Sequence, residues 1–191
     1  MRLAVIGSTN GTDLVPIVSA ISSGELLASV EVVISNNELS GILKKASAYG
    51  IEGHFICHKN KKRDVFDLEM SQILESKKID LILLIGFMRI LSSGFVDRWF
   101  GKIVNVHPSL LPKYAGGMNS DVHKSVLAAG DKETGCTIHL VTKEVDGGPI
   151  LLQKSCPVFE NDSIDSLKER VQKLEGEAFI EIINNWSNNE Y

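Results

Sequence analysis

In the first 107 residues, short apolar runs alternate with stretches whose apolar residues recur every three or four positions. That alternation confines the chain to few folds, because buried strands joined by helical crossovers build a mostly parallel sheet. The runs are Arg2 to Gly7, Val30 to Ile34, His54 to Cys57, Asp80 to Ile85 and Ile103 to Val106. Between them, Leu14, Ile17, Val18 and Ile21 mark a helix stopped at Gly24, and Leu39, Ile42, Leu43 and Ala46 a second closed by Gly50. Phe66, Met70, Ile73 and Leu74 mark a third that ends near Lys77-Lys78, and Phe95, Val96, Trp99 and Phe100 a short fourth.

The second half changes pattern. A helix around Val122, Val126 and Ala129 closes at Gly130, and two strands follow, Cys136 to Thr142 and Ile150 to Phe159. Their connection through Asp146-Gly-Gly-Pro149 is too short for a crossover, so they are expected to run antiparallel. Asp162 or Ser163 then caps a long last helix with Ile164, Leu167, Val171, Leu174, Ala178 and Ile182 on one stripe. No repeat, linker or low-complexity tract interrupts residues 1–191, which are expected to form one domain.

Chemistry concentrates at the carboxyl end of the fifth run. Asn105 and His107 lie two apart, so in an extended backbone they share a face, and Pro108 ends the ladder by removing a donor. An amide and an imidazole placed so can polarise a carbonyl and move a proton, and in open α/β sheets ligands bind at that end of the strands. The net charge of −4 argues against nucleic acid as the substrate. Cys57, Cys136 and Cys156 form no CxxC pair, which favours reduced thiols and a cytoplasmic protein. Met1-Arg2 leads straight into the first strand without a signal-peptide pattern, and no apolar run approaches the roughly 20 residues that span a bilayer. His54, Cys57 and His58 fit no standard zinc spacing, so no metal is expected.

Three stretches resemble the folate-dependent formyltransferases: Gly86-Phe-Met-Arg-Ile-Leu91, Asn105-Val-His107-Pro-Ser-Leu-Leu-Pro-Lys-Tyr114, and Glu144-Val-Asp146-Gly-Gly-Pro149. The likeness runs in the same order from Met1 to about Trp186. It implies an α/β fold: a Rossmann-like, mostly parallel sheet with helices on both faces, extended by an antiparallel second half and closed by a C-terminal helix. It implies transfer of a formyl group from 10-formyltetrahydrofolate to the amine of 5-phosphoribosylglycinamide in purine synthesis. Relatives of the same fold that act on sugar amines, or that hydrolyse the formyl-folate, are the alternatives. Small molecules would then be the partners, with no nucleic acid and no membrane, and monomer and homodimer both stay open.

The resemblance assigns catalysis to Asn105, His107 and Asp146. Asn105 donates to the oxyanion, and His107 does the same as imidazolium, with Asp146 beside it to favour the charge and relay the amine proton. Met88, Arg89, Ile90 and Leu91 line the pterin site, with Thr142, Lys143, Glu144, Val145 and Asp146 as the opposite wall and Arg63 reaching the folate. Gly11, Thr12 and Asp13 hold the substrate phosphate where a helix begins, and Gln172 and Glu175 hold the ribose or glycinamide end.

Two departures stand out. The usual Ser-Gly-x-Gly-Ser-Asn reads Ser8-Thr9-Asn10-Gly11-Thr12-Asp13 here, which puts a carboxylate near a phosphate. At about 4 Å in a surface-like dielectric such a pair repels by about 4 kcal/mol, so Asp13 is expected to turn its charge away and cap or pair elsewhere. The loop 115–122 is also long, and His123 beyond it is expected to take no direct catalytic part.

Overall fold

The computed structural model describes residues 1–117 and 120–187. Seven strands form one sheet in the order β3-β2-β1-β4-β5-β6-β7. They are β1 Arg2–Ile6, β2 Ser29–Ser35, β3 Gly53–Phe55, β4 Leu81–Leu84, β5 Ile103–His107, β6 Glu133–Leu140 and β7 Ile150–Pro157. β1 to β5 pair in parallel, and β5–β6 and β6–β7 are antiparallel, as the short final connection requires.

Among the described residues six helices cover the sheet: α1 Leu14–Ser22, α2 Gly41–Ala48, α3 Arg63–Ser76, α4 Ser93–Arg98, α5 Ser120–Ala129 and α6 Ile164–Ser187. Alternation along each strand divides the core between two faces. Leu3, Val5, Leu81, Leu83 and Val104 pack toward α1, α2 and α6, and Ala4, Ile6, Ile82, Leu84 and Ile103 toward α3 and α4. Each sheet layer is thus sealed on both sides, the condition for a parallel sheet. A smaller cluster of Val122, Val126 and Leu167 fastens α5 to α6.

Strand ends differ from the sequence reading in ways the pairing explains. β3 stops at Phe55 because it is an edge strand with three partners on β2. β7 stops at Pro157, which has no N–H to give to the ladder. β6 ends at Leu140, so Val141 and Thr142 leave the sheet. At the start of α6, Ser163 Oγ accepts the Ser166 N–H at 3.1 Å, and Asp162 takes the Phe159 N–H at 2.8 Å and a two-pronged pair from Arg170. Among the described residues no helix is long and apolar enough to cross a membrane.

Between β1 and β4 the chain order reverses direction across the sheet, so the loops leaving these two strands diverge and open a crevice. That crevice holds the site.

Candidate active site

A cavity of about 470 Å³ lies across the carboxyl ends of β1, β4 and β5, within the size range of small-molecule sites. Three segments wall it: residues 9–13 after β1, 84–91 after β4, and 141–146 between β6 and β7. α6 contributes Lys168, Gln172 and Glu175 to the far end.

Strand pairing sets the reactive side chains. The β5–β6 ladder places Asn105 opposite His139 and His107 opposite Thr137, and directly opposed residues share a face. Asn105 Nδ2 lies 3.2 Å from His139 Nε2. His107 Nδ1 lies 3.3 Å from Asp146 Oδ2, and His139 Nε2 lies 3.5 Å from Asp146 Oδ1. Asp146 itself sits at φ +52, a left-handed conformation that Asp tolerates better than most side chains. The Gly116 N–H donates to its Oδ2 at 2.8 Å.

The electrostatics are finely opposed. Burial pushes the His107 imidazole below its ordinary value, and the Asp146 charge and the Tyr114 carbonyl offset only part of that. Burial thus opposes the imidazolium that the resemblance implies, while an acceptor at each ring nitrogen favours it. Burial works against the Asp146 charge, but hydrogen bonds from His139 and Gly116 and the two histidines' charges together hold its carboxyl below the usual range. His107 Nε2 lies 3.0 Å from the Tyr114 carbonyl and donates to it, and Nδ1 faces a second acceptor, Asp146, to which it donates when the ring is charged. With Nδ1 turned to Asp146, both ring nitrogens are engaged within the protein.

The opposite wall is held from behind. Ser8 Oγ accepts the Met88 N–H at 2.8 Å and donates to Asn36 Oδ1 at 2.6 Å. Asp67, buried on α3, accepts the Ser92 N–H at 2.6 Å, and the Arg89 guanidinium lies 4.7 Å above the Phe66 ring. The N–H groups of Arg89, Ile90 and Leu91 have no acceptors among the described residues, and Phe87, Met88 and Ile90 line the cavity beside them. A flat heterocycle with polar edges suits that wall.

At the other end, Gly11 stands at φ +61, and a Cβ there would meet Ile42 at 2.3 Å, so only glycine permits the turn. The N–H groups of Gly11, Thr12 and Asp13 carry no hydrogen bond among the described residues. They lie where α1 begins, a place suited to an anion.

Of the residues singled out in the sequence, Met88 to Leu91, Asn105, His107, Thr142 to Asp146, Gly11 to Asp13, Gln172 and Glu175 all line this cavity. Arg63 does not: it opens α3 as an exposed residue, and Arg89 is the arginine at the wall. Lys143 pairs with Asp97 at 2.7 Å. Asp13 also departs from expectation. It makes no capping hydrogen bond, and it is buried with Oδ1 unpartnered rather than turned to a cation. In the long loop, residues 118 and 119 lie outside the described residues. His139 was missed by sequence reading; alternation through Cys136–Thr142 gave its face, but nothing local gave its partner. Among the described residues no group of three or more His, Cys, Asp or Glu side chains converges as metal ligands.

Comparison with known proteins places this geometry. Residues 1–183 match the formyl transferase family. The trifunctional purine biosynthetic protein adenosine-3 of Gallus gallus is 42% identical over 180 residues, 94% of this chain but only 18% of that protein. The chain thus spans less than a fifth of the length of the first curated relatives it matches. The phosphoribosylglycinamide formyltransferase of Escherichia coli K12 is 38% identical over 97% of this chain and 86% of its own length. A crystal structure of glycinamide ribonucleotide transformylase 1 from Symbiobacterium toebii superposes with a TM-score of 0.93 at 32% identity, covering 99% of this chain and 88% of that one. The chain belongs to the formyl transferase family.

Proposed function

We propose that this chain transfers a formyl group from 10-formyltetrahydrofolate to the amine of 5-phosphoribosylglycinamide in purine synthesis, acting as one cytoplasmic formyltransferase domain. The observation that carries the reading is the continuity of one cavity. It joins a wall suited to a pterin, the Asn105–His107–Asp146 group, and an anion-binding turn at the start of α1. The partners are then two small molecules, with no nucleic acid and no membrane surface, and no metal takes part in the reading.

Phe87 to Leu91 and Thr142 to Val145 would hold the reduced folate, which supplies the activated formyl group when bound. The Asn105 amide, steadied by His139, faces the position where negative charge develops on the formyl oxygen. His107, once the Tyr114 carbonyl gives way from Nε2, donates a proton there and toward the departing nitrogen. Asp146 holds the His107 ring through Nδ1 and accepts the proton that the attacking amine loses, which balances the one His107 gives to the departing nitrogen. Gly11 and Thr12 hold the phosphate through main-chain N–H groups, and Gln172 steadies the ribose. Burial of the reacting groups strengthens each of these interactions.

The test is a formyl-transfer assay with 5-phosphoribosylglycinamide, run beside a formate-release assay without it. Transfer that depends on the amine is expected. Formate release at the same rate without amine would make the chain a hydrolase. The buried acids Asp13 and Glu175 at the amine end favour one second reading, transfer to another small amine such as a sugar amine, and competition between amines decides between the two.

A further inference from the structure

The amine end of the cavity carries two acids and no paired base. Asp13, before α1, and Glu175, on α6, are 4% and 7% exposed, and both line the cavity. Neither forms an ion pair among the described residues, and Asp13 Oδ1 is sealed from solvent without a hydrogen-bond partner. Gly176 lets the elements that carry them pack together. A Cβ there would lie 2.6 Å from Pro16 Cγ, so glycine lets α1 settle against α6 at this level. Asp13 lies one turn before Pro16, and Glu175 adjoins Gly176 in the chain.

Two other ionisable groups face the pair. Lys168, two turns earlier on α6, favours the Glu175 charge, but less strongly than burial and the Asp13 charge oppose it. Cys136 of β6 stays a thiol, its pKa pushed far up by burial first and then by Glu175. Two desolvated carboxylates without a cation do not both ionise. Burial pushes Asp13 up to about 7, and burial and then the Asp13 charge carry Glu175 well above the ordinary carboxylate range.

Resting on the amine substrate assigned above, we propose that Asp13 and Glu175 form a protonated acid pair and that the phosphorylated amine binds only while Asp13 keeps its proton. In the acid form the Asp13 side chain offers an O–H donor and no charge beside the phosphate held by the neighbouring N–H groups. Loss of that proton turns the same atoms into a repelling acceptor. The carboxylic acid thereby serves as a neutral donor, as an amide side chain would, with pH as a control the amide lacks.

The sign follows directly. Binding is strongest below the Asp13 pKa and weakens as pH rises through it, with KM for the amine climbing toward a limit of about tenfold per pH unit. KM for the folate should not follow. Titrations of the substrate itself act equally on wild type and Asp13→Asn, so the difference between their profiles isolates this residue; the variant should lose the rise. An infrared pH-difference spectrum of the substrate-free protein supplies a readout independent of activity. A protonated-carboxyl stretch should titrate near neutral pH in the wild type, disappear in Asp13→Asn, and change in Glu175→Gln, two substitutions that preserve shape. A wild type without that band, or an Asp13→Asn protein with the full pH dependence of KM, overturns the proposal while leaving formyl transfer intact. Presence of the band without transfer to this amine supports the acid pair and overturns the assigned function instead.

Discussion

Asn105 Nδ2 and His139 Nε2 face each other at 3.2 Å across the β5–β6 ladder. His139 Nδ1 lies 2.9 Å from the Leu140 carbonyl, which can only accept, so Nδ1 carries a ring hydrogen, and Nε2 is shared between the Asn105 amide and Asp146 Oδ1 at 3.5 Å. The contact fixes how the Asn105 amide is turned toward the cavity. His139 is a positioning residue on this geometry. His139→Ala should lower turnover by about tenfold, the worth of one net hydrogen bond, with little change in either KM. In an Asn105→Ala background the same substitution should cost almost nothing further. Independent, additive losses would mean that His139 acts on something other than Asn105.

Asn105 and His107 share one face at a parallel strand's end, and they are assigned to one developing charge. Replacing His107 by alanine should reduce turnover by roughly two orders of magnitude or more. Folate binding, measured by fluorescence or calorimetry, should change far less, because the pterin wall at 87–91 is built on different anchors. Near-normal turnover would remove His107 from the chemistry.

Asp146 opposes the effect of burial on His107. If protonated His107 is the active form, the rate falls as pH rises through the His107 pKa. Asp146→Asn removes the charge that raises this pKa, so the falling limb should move to lower pH. The same change weakens the acceptor held by the Gly116 N–H, which a shift in the limb's position separates from a mere drop in its height. A limb that stays in place would show that the 3.3 Å contact carries no coupling.

The fold was legible in the sequence because each of its devices is local. Strand runs, helical stripes, and the two-residue spacing of Asn105 and His107 need only near neighbours. Asp146 and the wall at 142–146 came from a resemblance of text, and so did Arg63, which opens α3 away from the cavity while Arg89 stands at the wall. What stayed hidden depends on distant partners. His139 meets Asn105 only through the register of an antiparallel pair closed by the turn at 141–149. The Tyr114 carbonyl on His107 is a main-chain atom, for which residue type gives no signal. Asp13 is buried where α1 packs on α6, an approach that Gly176 permits from more than 160 residues away in the chain.

His123 offers a prediction about stability rather than catalysis. It is 2% exposed, and its Nδ1 has no hydrogen-bond partner among the described residues. Burial, and then the charge of Lys168 on α6, push its pKa down to about 4. An unfolded chain protonates histidine near 6.5, while the folded protein keeps this ring neutral until about 4. Between those values the unfolded state binds the extra proton, so the contribution of His123 to stability is complete above about 6.5 and is lost as pH falls toward 4. The limiting slope is about 1.4 kcal/mol per pH unit for one proton. Urea unfolding at pH 7 and pH 5 measures it. Wild type should lose stability over that interval, and His123→Leu, an apolar side chain without a titration, should lose measurably less. His107, also held below its ordinary value, contributes to both proteins and cancels in the difference. Equal losses in the two proteins would mean that His123 takes up its proton in the folded state as readily as in the unfolded one.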